Sequence, residues 1–274
     1  MDFKKCLKAF KFVDISKDLY EYAATFGANL KEKNLSEIEI YLSESFEFCA
    51  AFFGALAIGV KPILLAKPIY SGDKFVINDE NFGDFLDFSK SMELKFDQNS
   101  TFFLQTSGSS GASKNIQKSL GAMIDEGLFL KDELGFGEGD KFFASVSHQH
   151  MFGLTFKIFL PLISGAKAVS KELNYPEAIF ELDLTNLTFV TSPVLLQTLV
   201  SSPRAAEISG LKNIICAGSA LKSELRAKIE SLSSARIIEI YGSTETGIVA
   251  RNLGDELLLF SKVKAGLSED EALN

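Results

Sequence analysis

Short apolar strand segments alternate with helical segments along most of this chain. Strands are predicted at residues 38–42, 141–146, 187–191 and 211–216, with helices between them. This alternation is typical of parallel strands joined by crossover helices, because a parallel strand pair needs a long connection over one face of the sheet. The sequence therefore predicts an α/β fold of layered sheets, in which ligand-binding loops follow the carboxyl ends of the strands.

Capping signals support two of the predicted helices. Ser43 is expected to cap a helix with an acidic first turn, and that helix is expected to end at Gly59. Ser192 and Pro193 form a typical N-cap and first-turn pair for a helix that ends near Ser201. Both helices follow a predicted strand directly, as the alternating pattern requires.

A loop rich in serine and glycine follows the apolar strand predicted at residues 101–105, and a helix is predicted after it at residues 117–134. The loop consists of Thr106, Ser107, Gly108, Ser109, Ser110, Gly111, Ala112, Ser113 and Lys114. Glycine allows φ > 0 and a close approach of the main chain, hydroxyl groups add neutral donors, and the lysine supplies a positive charge. These groups are suited to holding a polyphosphate.

Three other types of segment have a similar composition: a Walker A loop, a dinucleotide-binding loop and a flexible linker. A Walker A loop requires lysine directly after glycine, whereas Lys114 lies between Ser113 and Asn115. Gly108 and Gly111 also lack the spacing of a dinucleotide-binding fingerprint. A flexible, solvated linker has the same composition, and only the flanking strand and helix argue against it.

A second polar segment follows the short strand predicted at residues 236–240. Its residues are Tyr241, Gly242, Ser243, Thr244, Glu245, Thr246 and Gly247. An aromatic ring, hydroxyl groups and a carboxylate at one strand end could together hold a base, a phosphate and a divalent cation. The segment therefore complements the loop at residues 106–114.

Taken together, the two segments resemble the phosphate loop and the Y-G-x-T-E motif of the adenylate-forming superfamily, which includes the acyl-CoA synthetases. The resemblance runs from about residue 17 to about residue 247, and it includes His-Gln-His-Met-Phe-Gly-Leu at residues 148–154 and a Gly-rich segment at residues 216–221. Ser113 and Ala220 stand where the family usually has proline. The resemblance implies the fold of the large N-terminal domain of these enzymes over residues 1–274, with no clear boundary between subdomains.

The resemblance also implies roles for individual residues. The nucleotide would be bound by Thr106, Ser107, Gly108, Ser109, Ser110, Gly111, Lys114, Gly218, Ser219, Ala220, Tyr241, Gly242, Ser243 and Thr244. The acid substrate would lie near His148, His150, Phe152 and Gly153. Lys114, His150, Thr244 and Glu245 would act in catalysis, with Glu245 binding Mg²⁺.

The two histidines are separated by one residue, so in an extended segment they would face opposite sides. At most one of them is expected to point into the cleft, and His150 is the candidate, orienting the substrate carboxylate or stabilising charge. A structural histidine with satisfied hydrogen bonds is the competing interpretation.

The implied reaction uses ATP and Mg²⁺ to convert a carboxylic acid to an acyl-adenylate, which is then transferred to coenzyme A or to the phosphopantetheine of an acyl carrier protein. Family members continue past the Y-G-x-T-E motif to a ribose-binding aspartate and a small mobile domain with a catalytic lysine, and residues 254–255 follow the motif too closely to supply that aspartate. The missing part is expected in a separate chain or beyond this sequence. A regulatory or non-catalytic module that binds ATP or acyl-adenylate is the alternative function, and a structural protein is a third.

The composition of the chain bears on its partners, its cysteines and its cellular location. A formal net charge of -8 and a pI near 5.0 argue against a nucleic-acid partner. The three cysteines are widely spaced, without a C-x-x-C pair, and are expected as buried small hydrophobes. The longest apolar run, residues 48–60, is too short to span a bilayer, so a cytoplasmic protein is expected. Phe46, Phe48, Phe52 and Phe53 lie at mixed spacing on one predicted helix and are expected to pack into the core from more than one of its faces.

Overall fold

A computed structural model describes residues 1–106, 113–252, 256–261 and 263. These residues form two β-sheets covered by helices. The strands are β1 (Glu37–Tyr41), β2 (Lys61–Leu64), β3 (Phe75–Asn78), β4 (Thr101–Thr106), β5 (Lys114–Ser119), β6 (Lys141–Ala144), β7 (Lys167–Glu172), β8 (Leu187–Thr191), β9 (Asn213–Cys216), β10 (Arg236–Ser243), β11 (Gly247–Asn252) and β12 (Leu257–Leu259).

The helices alternate with these strands through most of the chain. They are α1 (Phe3–Ala9), α2 (Leu19–Lys31), α3 (Ser45–Ala57), α4 (Leu120–Leu134), α5 (Met151–Gly153), α6 (Leu160–Ser164), α7 (Pro176–Ile179), α8 (Pro193–Val200) and α9 (Ser223–Leu232). A π-helical segment, Leu154–Phe159, joins α5 to α6, and 3₁₀ turns occur at Phe82–Phe85 and Ala205–Gly210. None of the described helices has the length and apolar character needed to cross a bilayer.

The first sheet has five strands in the order β3-β1-β2-β4-β5. Four of them run parallel, and β5 pairs antiparallel with β4, so that Thr106 lies opposite Lys114 and Thr101 lies opposite Ser119. The serine and glycine loop thus joins two strands of one hairpin. Its ends leave the sheet at the carboxyl end of β4.

The second sheet has seven strands in the order β12-β11-β10-β9-β8-β6-β7. Strands β6 to β10 run parallel, whereas β11 and β12 are antiparallel to their neighbours. The turn between β10 and β11 therefore lies at the carboxyl edge of the parallel strands. Both polar segments found in the sequence follow the carboxyl ends of parallel strands, as expected for ligand loops.

Helices α2 and α3 pack closely over the first sheet. A Cβ atom added at Gly54 would lie 2.7 Å from the carbonyl oxygen of Ala23, and one added at Gly27 would lie 2.9 Å from the carbonyl oxygen of Gly54. The two glycines let the helix backbones approach. Phenylalanines of α3 pack into the core on both sides of that helix, as its sequence indicated, and the buried rings include Phe46, Phe48, Phe52 and Phe53.

The layered α/β fold agrees with the sequence prediction, but several local details differ. Residues 117–119 belong to strand β5 rather than to the predicted helix, because they pair with β4. Ser43 does not cap α3; its backbone N–H and hydroxyl both donate to Asp79. Ser192 does cap α8, accepting from the N–H of Leu195 at 3.4 Å. Strands β5, β11 and β12 run antiparallel to their neighbours, a direction that the alternating pattern in the sequence does not specify.

Candidate functional site

A cleft of about 420 Å³ opens at the carboxyl ends of β9 and β10. This volume lies within the range of roughly 300–1,000 Å³ that is usual for small-molecule sites. Gly218, with φ +98°, turns the chain at the end of β9 and opens the cleft. The lining residues are Gly218, Ser219, Ala220, Glu239, Ile240, Tyr241, Gly242, Asn252, Glu256 and Leu257.

The buried carboxylate of Glu239 fixes one wall of this cleft. Its Oε1 accepts from the N–H of Leu221 at 3.1 Å and from the Asn252 amide at 2.6 Å, while Arg226 donates to Oε2 at 3.2 Å. One side chain of β10 thereby holds the segment after Gly218, the end of β11 and helix α9. Glu239 was not identified from the sequence, although an acidic residue within a short apolar strand was the available signal.

A second cavity of about 220 Å³ lies beside the first. Both cavities are lined by Gly218, Ile240 and Gly242. The remaining lining residues of the second cavity are His150, Met151, Phe152, Ala217, Ser243, Thr244 and Ile248. Its wall is mostly apolar, with one imidazole and two hydroxyl groups.

The two histidines have different surroundings. His148 is fully buried; its Nδ1 lies 2.9 Å from the hydroxyl of Ser45 and its Nε2 lies 2.9 Å from the carbonyl of Leu42. Because a carbonyl oxygen only accepts, Nε2 carries the proton and Nδ1 accepts from the serine. Burial holds the pKa of His148 well below its usual value, so the ring is neutral. No part of it is open to a substrate, which corrects its placement in the substrate site.

His150, in contrast, lies at the surface of the second cavity. Partial desolvation of its ring lowers the pKa of His150, and nearby Glu172 acts weakly in the opposite direction. At neutral pH the ring is therefore uncharged and can accept or donate a hydrogen bond. The opposite placement of the two histidines agrees with their spacing in the sequence.

Gly153 is required by packing. A Cβ atom added there would lie 2.0 Å from the carbonyl oxygen of Ser147, so no other residue fits at the start of this helical segment. Gly153 is buried and is not among the residues that line either cavity. Its sequence-based placement beside the substrate is replaced by this backbone role, whereas Phe152 does line the second cavity.

Lys118 joins the two polar segments. It lies on β5, four residues after Lys114, and its Nζ donates to the carbonyl oxygen of Glu245 at 3.1 Å. Since alternate residues of a strand share a face, Lys114 and Lys118 are on the same side of β5. The strand that follows the serine and glycine loop therefore lies against the turn between β10 and β11.

Glu126 of α4 forms a second contact between these parts of the chain. Its Oε2 accepts from the N–H of Ile248 at 3.0 Å, and its Oε1 accepts from the hydroxyl of Thr155 at 2.7 Å. Gly247 has a φ of +76°, a backbone conformation that residues other than glycine rarely adopt. Burial raises the pKa of Glu126, with the two hydrogen bonds and Lys118 acting in the opposite direction.

The turn between β10 and β11 is closed by its own hydroxyl groups. The backbone N–H of Ser243 donates to the hydroxyl of Thr246, and the N–H of Thr246 donates to the hydroxyl of Ser243, both at 3.2 Å. The pKa of the exposed Glu245 is lowered by its own backbone N–H and by Ser243, with smaller contributions from Lys118 and Lys114. Glu245 is thus an accessible carboxylate in a positive setting.

A magnesium site here would use few protein ligands. In the part of the chain that the structure describes, no three histidine, cysteine, aspartate or glutamate residues lie close enough together to hold a metal ion. Magnesium commonly binds one or two carboxylates together with phosphate oxygens and water. Glu245 beside the hydroxyl of Thr244 fits such a site, with a phosphate supplying further oxygens.

The sequence model of the family described as AMP-binding enzyme matches residues 67–266, which is more than half of the chain. The chain belongs to the AMP-binding enzyme family. Among curated relatives, enterobactin synthase component F from Escherichia coli is 26% identical over 171 residues, which cover 58% of this chain and 13% of that protein. The segment that the family model matches, residues 67–266, contains the motifs on which the resemblance in the sequence was based.

Several solved structures have a similar fold. A benzoate CoA ligase from Burkholderia xenovorans has a TM-score of 0.79 at 19% identity, covering 92% of this chain and 63% of that one. ATP-bound MatB from Rhodopseudomonas palustris has a TM-score of 0.79 at 16% identity, covering 93% and 63%. The chain therefore spans less than two thirds of the length of these proteins.

The structure brings most of the predicted AMP-binding residues to one edge of the molecule. Residues 218–220 and 241–244 line the two cavities, and Lys118 connects their turn to the strand that begins at Lys114. Thr106 lies opposite Lys114 at the end of β4. Ser107, Gly108, Ser109, Ser110 and Gly111 lie outside the described residues, as does the 254–255 pair. Lys118 and Glu126 were missed, because no local pattern marks a contact over more than a hundred residues.

A buried lysine lies behind the histidine segment. Lys157 is fully buried in the π-helical segment, and its Nζ donates to the carbonyl of Lys171 at 3.2 Å. Desolvation lowers the pKa of Lys157 to about 8, while Glu172, Glu44 and Asp14 act in the opposite direction. The ammonium group is therefore costly to keep charged inside the protein.

We expect the stability of the protein, relative to the Lys157→Met variant, to rise with pH. The pKa of Lys157 in the folded protein, about 8, lies below the ordinary value of 10.5. The destabilisation caused by burying the charged ammonium group is therefore complete below pH 8 and decreases as the pH approaches 10.5. Between pH 7 and pH 10 the unfolding free energy of the wild type should rise by roughly 2–3 kcal/mol relative to that of the variant. Urea denaturation at both pH values measures it.

The matched control is Lys61→Met, which removes an exposed lysine at the start of β2. The unfolding free energy of this variant, relative to wild type, should stay within about 0.5 kcal/mol at both pH values. A difference for Lys157→Met that does not change with pH would contradict the lowered pKa.

Proposed function

We propose that this protein binds ATP with Mg²⁺ and activates a carboxylic acid as an acyl-adenylate. The observation that carries the proposal is the contact of Lys118 with the Glu245 carbonyl, since it brings the strand after the serine and glycine loop against the Thr244 turn and its cavities. Membership of the AMP-binding enzyme family supports the same reaction class. The chain would join a carboxylate to the α-phosphorus of ATP, and pyrophosphate would leave.

The 420 Å³ cleft is proposed as the adenosine site. Tyr241, 54% exposed on its rim, would stack on the adenine ring, and Gly218, Ser219 and Ala220 would contact its edge. Glu239 keeps this wall in place through the N–H of Leu221. The pocket thus combines one aromatic face with a wall of backbone groups.

The phosphates would lie between the two polar segments. Residues 106–114 would hold the β and γ phosphates, Thr244 would contact the α phosphate, and Glu245 would bind Mg²⁺. The obstacle to the reaction is the repulsion between an attacking carboxylate and a polyphosphate. Lys114 would offset that negative charge locally, which matters in a chain with a net charge of -8.

The 220 Å³ cavity is proposed as the acid site. Met151, Phe152 and Ile248 supply apolar walls, and His150 would hydrogen-bond the substrate carboxylate beside Thr244. No acidic side chain lines the cavity among the described residues, so a substrate ammonium group would have no partner there. These features favour a compact aromatic or aliphatic acid over an amino acid.

The second step would transfer the acyl group to a thiol, either coenzyme A or the phosphopantetheine of an acyl carrier protein. A benzoate CoA ligase among the structural neighbours supports a thiol acceptor. We propose that a separate chain, or residues beyond this sequence, also contribute catalytic groups to this step. We place the reaction in the cytoplasm, where ATP and these thiols are available.

A second candidate function is a regulatory module that retains ATP or acyl-adenylate without turnover. Both candidates require nucleotide binding, and only the first requires chemistry.

Pyrophosphate release by the isolated chain, measured with ATP, Mg²⁺ and a panel of aromatic and aliphatic acids, tests the proposal. We expect release that depends on the acid. Calorimetric ATP binding without release for any acid would favour the regulatory module, and no ATP binding in the presence of Mg²⁺ would exclude both functions.

We expect Lys114→Ala to weaken the binding of ATP much more than that of AMP, because the lysine would contact only the β and γ phosphates. Loss of one charge-assisted contact should lower ATP affinity on the order of 10- to 100-fold. Isothermal titration calorimetry with both nucleotides measures the effect, with Lys61→Ala as the control. Equal losses for ATP and AMP would contradict the phosphate assignment.

For Glu245→Gln, we expect a several-fold higher Mg²⁺ concentration at half-maximal ATP binding, because an amide oxygen is a weaker ligand than a carboxylate. A Mg²⁺ titration at fixed ATP measures this concentration. Glu177→Gln, an exposed change in the first turn of α7, provides the control. An unchanged Mg²⁺ requirement would remove Glu245 from the metal site.

A further inference from the structure

The strand that carries Lys114 and Lys118 and the turn that carries Thr244 and Glu245 belong to different sheets. Strand β5 is part of the five-stranded sheet, whereas the turn lies between β10 and β11 of the seven-stranded sheet. Hydrogen bonds within either sheet do not fix the distance between these two segments. Contacts across the junction must do so.

Two side chains, one on strand β5 and one on helix α4, reach across this junction. Glu126 binds the backbone N–H of Ile248 at the base of the turn, and Lys118 binds the carbonyl of Glu245 near its tip. The turn is closed internally by Ser243 and Thr246, so it can move as a unit. Glu126 therefore holds the base of this unit, and Lys118 sets the direction of its tip.

We propose that Lys118 is a positioning residue of the magnesium and α-phosphate site at the turn with Thr244 and Glu245, which orients the carboxylate of Glu245 by holding its backbone carbonyl. This inference rests on the proposed function and adds to it a residue that neither polar segment contains. It acts through Glu245 and the bound metal, not by direct contact with the acid.

The surroundings of Lys118 fit this role. Its ammonium group has three donors, and among the ion pairs within 4.0 Å in the described residues none involves Lys118. Its hydrogen bond to a carbonyl is charge-assisted and stronger than a neutral one. Lys118 is also half-buried, which limits the competition from water.

From the same arrangement we expect the protein to stay folded when Lys118 is replaced. Strand β5 keeps its pairing with β4, and Glu126 keeps the base of the turn attached. Loss of Lys118 would thus release only the tip of the turn. A methionine retains most of the apolar length of the side chain and removes the donor.

The test compares wild type, Lys118→Met, Lys118→Arg, Glu245→Gln and the double variant Lys118→Met/Glu245→Gln, with Lys61→Met as the matched control. Calorimetry measures the affinity for ATP at several Mg²⁺ concentrations and the affinity for AMP, and thermal melting checks that each variant is folded. For Lys118→Met we expect ATP affinity on the order of tenfold lower, a higher Mg²⁺ requirement, and AMP affinity within about twofold of wild type. Lys118→Arg should restore most of the loss.

The double variant distinguishes positioning from direct phosphate contact. Because Lys118 acts through Glu245, the double variant should bind ATP about as weakly as the weaker of the two single variants, with non-additive losses. Additive losses would show that Lys118 acts independently of Glu245 and would overturn the proposal.

The other outcomes are also decisive. If wild type binds ATP and Glu245→Gln raises the Mg²⁺ requirement while folded Lys118→Met behaves as wild type, this inference fails and the proposed function stands. If Glu245→Gln leaves the Mg²⁺ requirement unchanged, Glu245 is not the group being positioned and the inference fails. If wild type does not bind ATP, the proposed function fails and the inference fails with it.

Discussion

The contact between the two sheets at the turn after β10 is the constraint on which the site depends. Glu126 and Lys118 attach the turn to the helix and strand that follow the serine and glycine loop. Gly247 allows the positive φ of +76° with which the chain enters β11. The cavities beside Gly242 and Ile248 lie next to this junction.

Glu239 and Lys157 are buried charged side chains whose burial is compensated to different extents. Glu239 is stabilised by an arginine, an amide and a backbone N–H, so its burial is compensated by hydrogen bonds. Lys157 donates to the carbonyl of Lys171, and desolvation lowers the pKa of Lys157 to about 8. A buried charge is weak evidence for stability, because the cost of removing it from water offsets much of what its contacts contribute.

Comparison of the predicted and observed elements shows where local patterns are reliable. Strand β8 and the cap of α8 at Ser192 are found as the sequence predicted, because apolar β-branched runs and N-cap residues act over a few neighbours. Residues 117–119 were misassigned to a helix, since lysine and glutamine are compatible with a helix and only pairing with β4 makes them a strand. The antiparallel direction of β11 also depends on a pairing that local propensity does not encode.

By itself, the sequence determined the α/β class, the two polar segments at strand ends and, from the spacing of His148 and His150, that one ring would face away from the site. These properties follow from hydrophobic periodicity and local backbone geometry. Only the tertiary structure decided that His148 is the buried ring, that Glu239 fixes one wall of the larger cleft, and that Lys118 contacts Glu245. Such contacts join residues far apart in the chain, and their formation depends on how two sheets pack together.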